Sequence, residues 1–237
     1  MEGGVPHGRP RSEADPDVST TRDAGRFVAE HTEPTRTVLV PEIVLRLATQ
    51  PFGIFHAAER NKADRPYWAF AWSGGQAIAR YMLDNPHVVG GKRVWDIGSG
   101  SALTAIAARM AGATQAVAAD TDPMACAAAR LNGAANAVEL EVTADDLLGR
   151  DVDADLIVIG DLFYEPELAL RVTAFLERAV RRGMPVLFGD RATMRRPPLE
   201  MELVGEYPAA LTPHMEIGYV DQARIWRVVP RAGVRRG

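Results

Sequence analysis

"VWDIGSGSAL", running from Val94 to Leu103, decides the fold. An apolar stretch of strand length reaches two glycines, Gly98 and Gly100, and an alanine-rich helical stretch starts at once. Glycine at such a turn lets the backbone approach a ligand with no Cβ in the way. The free N–H groups of the following helix favour an anion. Working outward, strand and helix keep alternating. The helix predicted over Ala102–Ala111 is stopped by Gly112, and "QAVAAD" (115–120) is the next strand. Asp122-Pro123, an acid before a first-turn proline, opens the helix that carries "MACAAARLN" (124–132). "VELEVTA" (138–144) is a strand followed only by the short turn "DDLLGR" (145–150). "DLIVIGD" (155–161) leads to a helix from Pro166 to about Arg181, with Leu168, Val172, Phe175, Leu176 and Val180 as its buried stripe. After the strand "MPVLFGD" (184–190), "EMELVGEY" (200–207), "HMEIGYV" (214–220) and "ARIWRVV" (223–229) follow without a convincing long helix. Two of these three pair as an antiparallel hairpin at the sheet edge. Repeated β-α units imply an α/β domain with a mostly parallel sheet covered on both faces.

Upstream, "SGGQ" (73–76) has the form of a capping box and opens a helix to about Asn85, with Ile78, Tyr81 and Met82 on one face. Residues 24–33 form a short helix. Residues 35–72 read as irregular and unusually aromatic, with Phe52, Phe55, Tyr67, Trp68, Phe70 and Trp72. The first residues, rich in Gly, Pro and charge and without an apolar core segment, read as a disordered tail rather than a secretory signal.

Of 237 residues, 47% are apolar, enough for a sizeable core. A net charge of -4 argues against nucleic acid as the main partner. No apolar run approaches the roughly 20 residues that span a bilayer. The 27 basic residues include only two lysines, Lys62 and Lys92, which with the many alanines suggests a bacterial source. The single cysteine, Cys126, excludes a disulfide framework and suits a reducing cytoplasm. The five histidines are scattered, so no metal site is expected. A monomer is expected.

The chemistry starts at the strand tips, where ligands of such sheets bind. Asp120 ends its strand 22 residues after Gly98, placed to accept two ribose hydroxyls. Asp96, inside the turn, separates two cofactor classes. A carboxylate there repels the pyrophosphate of a dinucleotide and attracts the ammonium of S-adenosylmethionine. The third glycine of the dinucleotide pattern is also missing, so the turn favours S-adenosylmethionine over NAD. Asp96 pinning the turn through backbone N–H groups is compatible with both roles. Asp145 could meet the adenine amino group or simply be a solvated turn acid, and Trp72 could cover the cofactor or pack in the core. Asp161 and Tyr164, in "LIVIGDLFYEPE" (156–167), leave a charge and a flat ring at one strand tip, which suits a cationic or amine ligand. The bland alternative is that Asp161 caps the helix at Pro166.

"DRPYWAFAWSGGQAIARYMLDNP" (64–86), "VWDIGSGSALTAIAARMAGA" (94–113), "ADTDP" (119–123) and "GDLFYEPELA" (160–169) together resemble the seven-β-strand methyltransferases of the lysine-modifying group, sometimes called family 16. "VPEIVLRLAT" (40–49) adds to the likeness, which covers about 35–229. It implies a Rossmann-like seven-stranded, mostly parallel sheet with helices on both faces and an antiparallel C-terminal hairpin. With the tails read from composition, the expected division is a disordered tail over 1–22, a cap or substrate segment over 23–72, an S-adenosylmethionine-dependent methyltransferase domain over 73–230 and a basic tail over 231–237. Trp72, Gly98, Ser99, Gly100 and Asp120 match cofactor contacts, Gly160 lies beside the sulfonium, and Asp161 and Tyr164 match the substrate end. Ser101 departs from the group's usual Cys or Thr. The implied acceptor is lysine in a protein such as the electron transfer flavoprotein β-subunit. Two other readings stay open, a small-molecule N-methyltransferase acting on a nicotinamide-like amine and an inactive binding module of the same fold.

Overall fold

The computed structural model describes residues 18–61, 63–191, 197–209 and 222–230. The segment "HMEIGYV", the first 17 residues and the basic tail lie outside them. The elements in chain order are α1 (Val18–His31), β1 (Glu33–Arg36), β2 (Val44–Leu47), α2 (Pro51–Arg60), α3 (Ser73–Asp84), β3 (Arg93–Ile97), α4 (Leu103–Met110), β4 (Gln115–Ala119), α5 (Pro123–Ala135), β5 (Glu141–Thr143), β6 (Leu156–Gly160), α6 (Pro166–Arg181), β7 (Val186–Arg191), β8 (Met201–Pro208) and β9 (Gln222–Val228). Among the described residues β3 to β9 form one seven-stranded sheet in the order β5-β4-β3-β6-β7-β9-β8. The first five strands along that order are parallel, and β9 and β8 run antiparallel at the edge. The order reverses between β3 and β6, so their carboxyl ends open the crevice in which such sheets bind ligands.

The buried strands feed two cores by simple alternation. Along β6, Leu156 and Val158 join the core shared with α3 and α4, while Ile157 and Ile159 join the one shared with α6. The stripe on α6 is buried at Val172, Phe175, Leu176 and Val180. α5 begins as the sequence implies: Pro123 is its first residue, and the Asp122 carboxylate caps it by accepting from Met124 N at 2.8 Å.

Three expectations change. α1 starts at Val18, inside the stretch read as tail, because Ala24, Phe27 and Val28 bury themselves against Ala125, Ala127 and Ala128 of α5. Residues 35–72 are not irregular: β1 and β2 pair as an antiparallel hairpin and α2 follows. Four-residue strands carry too little periodicity to read, and this hairpin is secured from far along the chain. Asn136 Oδ1 accepts from Val44 N (2.9 Å) and Asn132 Oδ1 from Arg46 N (2.7 Å). The capping box does not form. Ser73 is the first helical residue, Trp72 holds the cap position without a side-chain cap bond, and Gln76 Nε2 donates to Ala71 O at 2.7 Å.

Candidate active site

The turn after β3 is held by short backbone bonds. Gly98 N and Ser99 N both donate to Ala119 O, at 2.8 and 3.1 Å, tying the turn to the tip of β4. Gly98 has φ +68° and Gly100 φ +50°, the left-handed region that glycine enters without strain. A Cβ on Gly98 would lie 2.6 Å from the end of the Leu162 side chain, so a larger residue here would have to displace that leucine. Asp120 points back at the turn. Its Oδ2 accepts from Gly100 N (2.9 Å) and its Oδ1 from Asp122 N (3.0 Å), and burial pushes its pKa up.

A cavity of about 660 Å³ opens at these tips, the size of a small-molecule site. Of the residues singled out in the sequence it is lined by Trp72, Gly98, Gly100, Asp120, Gly160, Asp161 and Tyr164. A second cavity of about 50 Å³ shares Trp72, Gly98, Gly100, Gly160 and Asp161 with it and adds Asp96 and Ser99. The Ser99 Oγ is buried with no hydrogen-bond partner among the described residues.

Asp96 is 2% exposed, and burial raises its pKa to about 7. Its Oδ2 accepts from the Thr104 hydroxyl and from Ala105 N (3.1 Å). The carboxylate thus holds the first turn of α4, the pinning role, while it also faces the smaller cavity. Asp145 is exposed, its carboxylate is 3.5 Å from Arg150, and it lines neither cavity, the placement of a solvated turn acid. The strand β5 ends at Thr143, and the turn after it carries Asp145 outward to solvent.

Asp161 sits at φ +51°, an uncommon conformation that Asp tolerates better than most residues. Its N–H donates to Gly189 O (3.0 Å) on β7. Its Oδ2 accepts from Gly75 N (3.0 Å) in the first turn of α3. The alternative that Asp161 caps the helix at Pro166 is therefore not what the chain does: α6 has Glu165 in the cap position with no side-chain cap bond. Tyr164 is half-exposed at the cavity rim, and burial with the nearby Glu165 pushes its phenol up to about 12. It stays protonated at neutral pH.

Sequence reasoning missed the residue that organises the rim. The Tyr67 ring packs edge-on against Tyr164 (5.1 Å) and Trp72 (5.9 Å), and its carbonyl accepts from Trp72 Nε1 (2.9 Å). "DRPYWAFAW" (64–72) is rich in aromatic residues, but nothing local says which of its rings faces the cavity. Arg191 at the tip of β7 also lines it, a position the strand-tip rule could have supplied.

The residues present suit S-adenosylmethionine. The glycine turn leaves a cradle no Cβ enters, a half-buried carboxylate at the end of β4 faces a nucleoside-sized space, and Ser99 offers an unsatisfied polar atom. Sheet, crevice and turn define an S-adenosylmethionine-dependent methyltransferase. The comparisons agree. The sequence pattern of the ribosomal protein L11 methyltransferase family (PrmA) matches residues 78–163. The 16S rRNA N2 G1207 methyltransferase of T. thermophilus, solved with AdoMet and guanosine, superposes with a TM-score of 0.57 at 14% identity, covering 84% of this chain and 50% of that one. The electron transfer flavoprotein beta subunit lysine methyltransferase of Xenopus laevis is 42% identical over 186 residues, 77% of this chain and 76% of the relative. The Homo sapiens enzyme of the same name is 42% identical over 169 residues, 69% of this chain and 64% of the relative. The chain belongs to the electron transfer flavoprotein β-subunit lysine methyltransferase family.

Proposed function

We propose that the chain methylates lysine side chains of an electron transfer flavoprotein β-subunit, with Asp161 as the group that receives the amine. The observation that carries this is geometric. The Asp161 carboxylate, held by Gly75 N, faces the same cavity as the glycine turn and Asp120, with the Tyr164 ring at the rim. In this reading Asp120 takes the ribose hydroxyls, Gly98, Ser99 and Gly100 cradle the amino-acid end, Trp72 flanks the cofactor, Gly160 leaves room beside the sulfonium, and Asp96 braces the turn from beneath.

Bound S-adenosylmethionine supplies an electrophilic methyl group on a sulfonium. A lysine with a pKa near ~10.4 arrives protonated and without a lone pair. Asp161 accepts a hydrogen bond from the ammonium, which offsets repulsion between two cations. Once the amine has shed its proton to water, Asp161 still holds and aims it, and then stabilises the charge of the methylated product. The protonated Tyr164 contributes a ring along the lysine methylenes or against the cation, worth roughly 0.5–2 kcal/mol. Positioning supplies most of the catalysis. The lone Cys126 and the composition support a reducing cytoplasm and a bacterial source.

The test is incubation with labelled S-adenosylmethionine and purified electron transfer flavoprotein from the source cell, beside a lysate and nicotinamide. Label on the β-subunit, mapped to lysine by mass spectrometry, is the expected result. Label on nicotinamide alone overturns the proposal in favour of the small-amine reading.

A further inference from the structure

We infer that the amino end of α3 is a positioning device for Asp161, and that Gly75 is a positioning residue acting through its backbone N–H. The inference rests on the reading of Asp161 above and adds what holds it. Asp161 leaves β6 in a left-handed conformation, so its side chain departs from the strand's alternation and turns toward α3. There Gly75 N donates to its Oδ2 at 3.0 Å. Gly75 lies in the first turn of a twelve-residue helix, where N–H groups have no partner within the helix and carry its partial positive charge. The carboxylate is thus held by a donor that cannot rotate away.

The approach is possible only because three further glycines vacate the space. A Cβ on Gly74 would lie 2.5 Å from Gly189 O and 2.6 Å from Asp161 Oδ2. One on Gly189 would lie 2.5 Å from Gly74 O and 2.8 Å from Ile78, and one on Gly160 would lie 3.0 Å from Gly75 N. The nearest contact of each is against backbone, which has no flexible end to give. At Gly75 itself a Cβ meets nothing within 4 Å, so only its N–H is required. Helix α3, β6 and β7 therefore converge on one residue, Asp161. The Asp161 N–H, donated to Gly189 O at 3.0 Å, closes the arrangement from the other side.

Gly75→Pro deletes the donor at a first-turn position where proline is tolerated. Gly75→Ala keeps it. In single-turnover methylation of the substrate protein, Gly75→Pro should transfer at least about tenfold more slowly than Gly75→Ala, the scale of losing one hydrogen bond to a charged group. S-adenosylmethionine affinity by calorimetry should differ by less than about threefold between them, since a fold defect would lower both and a lost positioning bond lowers only the rate. Equal rates for the two variants, with Asp161→Asn inactive, overturn the inference and leave Asp161 standing. Full activity of Asp161→Asn overturns the reading of Asp161 itself. Amide hydrogen exchange needs no proline. The Gly75 amide should be protected in the parent and lose at least about tenfold of that protection in Asp161→Ala, and equal exchange in both overturns the inference.

Discussion

Asp161 is a residue whose backbone strain and side-chain placement serve one end. At φ +51° it carries a conformational cost of order 1–3 kcal/mol that surrounding bonds must hold in place. Asn tolerates the same conformation, so Asp161→Asn removes the charge while keeping the shape. Under the proposed role it should slow single-turnover methyl transfer by on the order of 10², with cofactor affinity by titration kept. A wild-type rate would return the residue to a structural part. Asp96 makes a different prediction. Burial lifts its carboxyl to about 7 from 3.8, so the folded chain holds that proton more tightly than the unfolded one. The stability linked to it is fully present below about pH 4 and is lost as the pH rises through about 7. Melting temperatures measured without cofactor should therefore move in favour of Asp96→Asn, relative to the parent, between pH 4 and pH 8. A constant gap across that range would mean the carboxyl is already ionised at the lower end.

At the scale of elements, α5 is more than a sheet-covering helix. Asn132 is fully buried, accepts from Arg46 N (2.7 Å) on β2 and donates through Nδ2 to Ser101 O (2.9 Å) in the glycine turn. One side chain thus joins the N-terminal hairpin to the cofactor loop. Asn132→Ala leaves both backbone groups unsatisfied, at about 1–3 kcal/mol each. Denaturant unfolding should show a loss of roughly 2–6 kcal/mol. A loss under 1 kcal/mol would show that water or local shifts replace both bonds. In the sequence this asparagine looked like the tail of an alanine-rich helix. Its partners lie 86 and 31 residues away, and no local pattern announces them.

For the whole molecule, the crevice at the reversal of strand order couples cofactor binding to stability. A ligand that binds only the folded chain stabilises it by about 2.7 kcal/mol at a hundred times its Kd. For a chain of this size that corresponds to about 5–10 °C in melting temperature. S-adenosylmethionine should produce such a shift, and Asp120→Ala should reduce it sharply at the same ligand concentration, each shift being read against the same protein's own unliganded melting temperature because the variant also loses two bonds to backbone N–H. An undiminished shift would remove Asp120 from the proposed ribose contact.

The alternation of strands and helices from Lys92 to Arg191 was legible because each unit carries local signals: apolar runs of strand length, a glycine turn, an acid-proline helix start and a helical stripe on α6. The strand-tip acids Asp120 and Asp161 were legible for the same reason, since a strand end is a local event. What Asp161 bonds to was not. The sequence offered the helix that begins five residues ahead, and the fold supplied one that begins 88 residues earlier, because three glycines on separate elements let α3 reach it. The hairpin β1–β2, the Tyr67 ring at the rim and the outward turn of Asp145 likewise depend on what packs beside them. From Lys92 to Arg191 chain-local preferences determine which elements form and which residues stand at their ends. The side-chain partners of those residues are chosen by close approach between elements distant in sequence, and only the folded chain decides that.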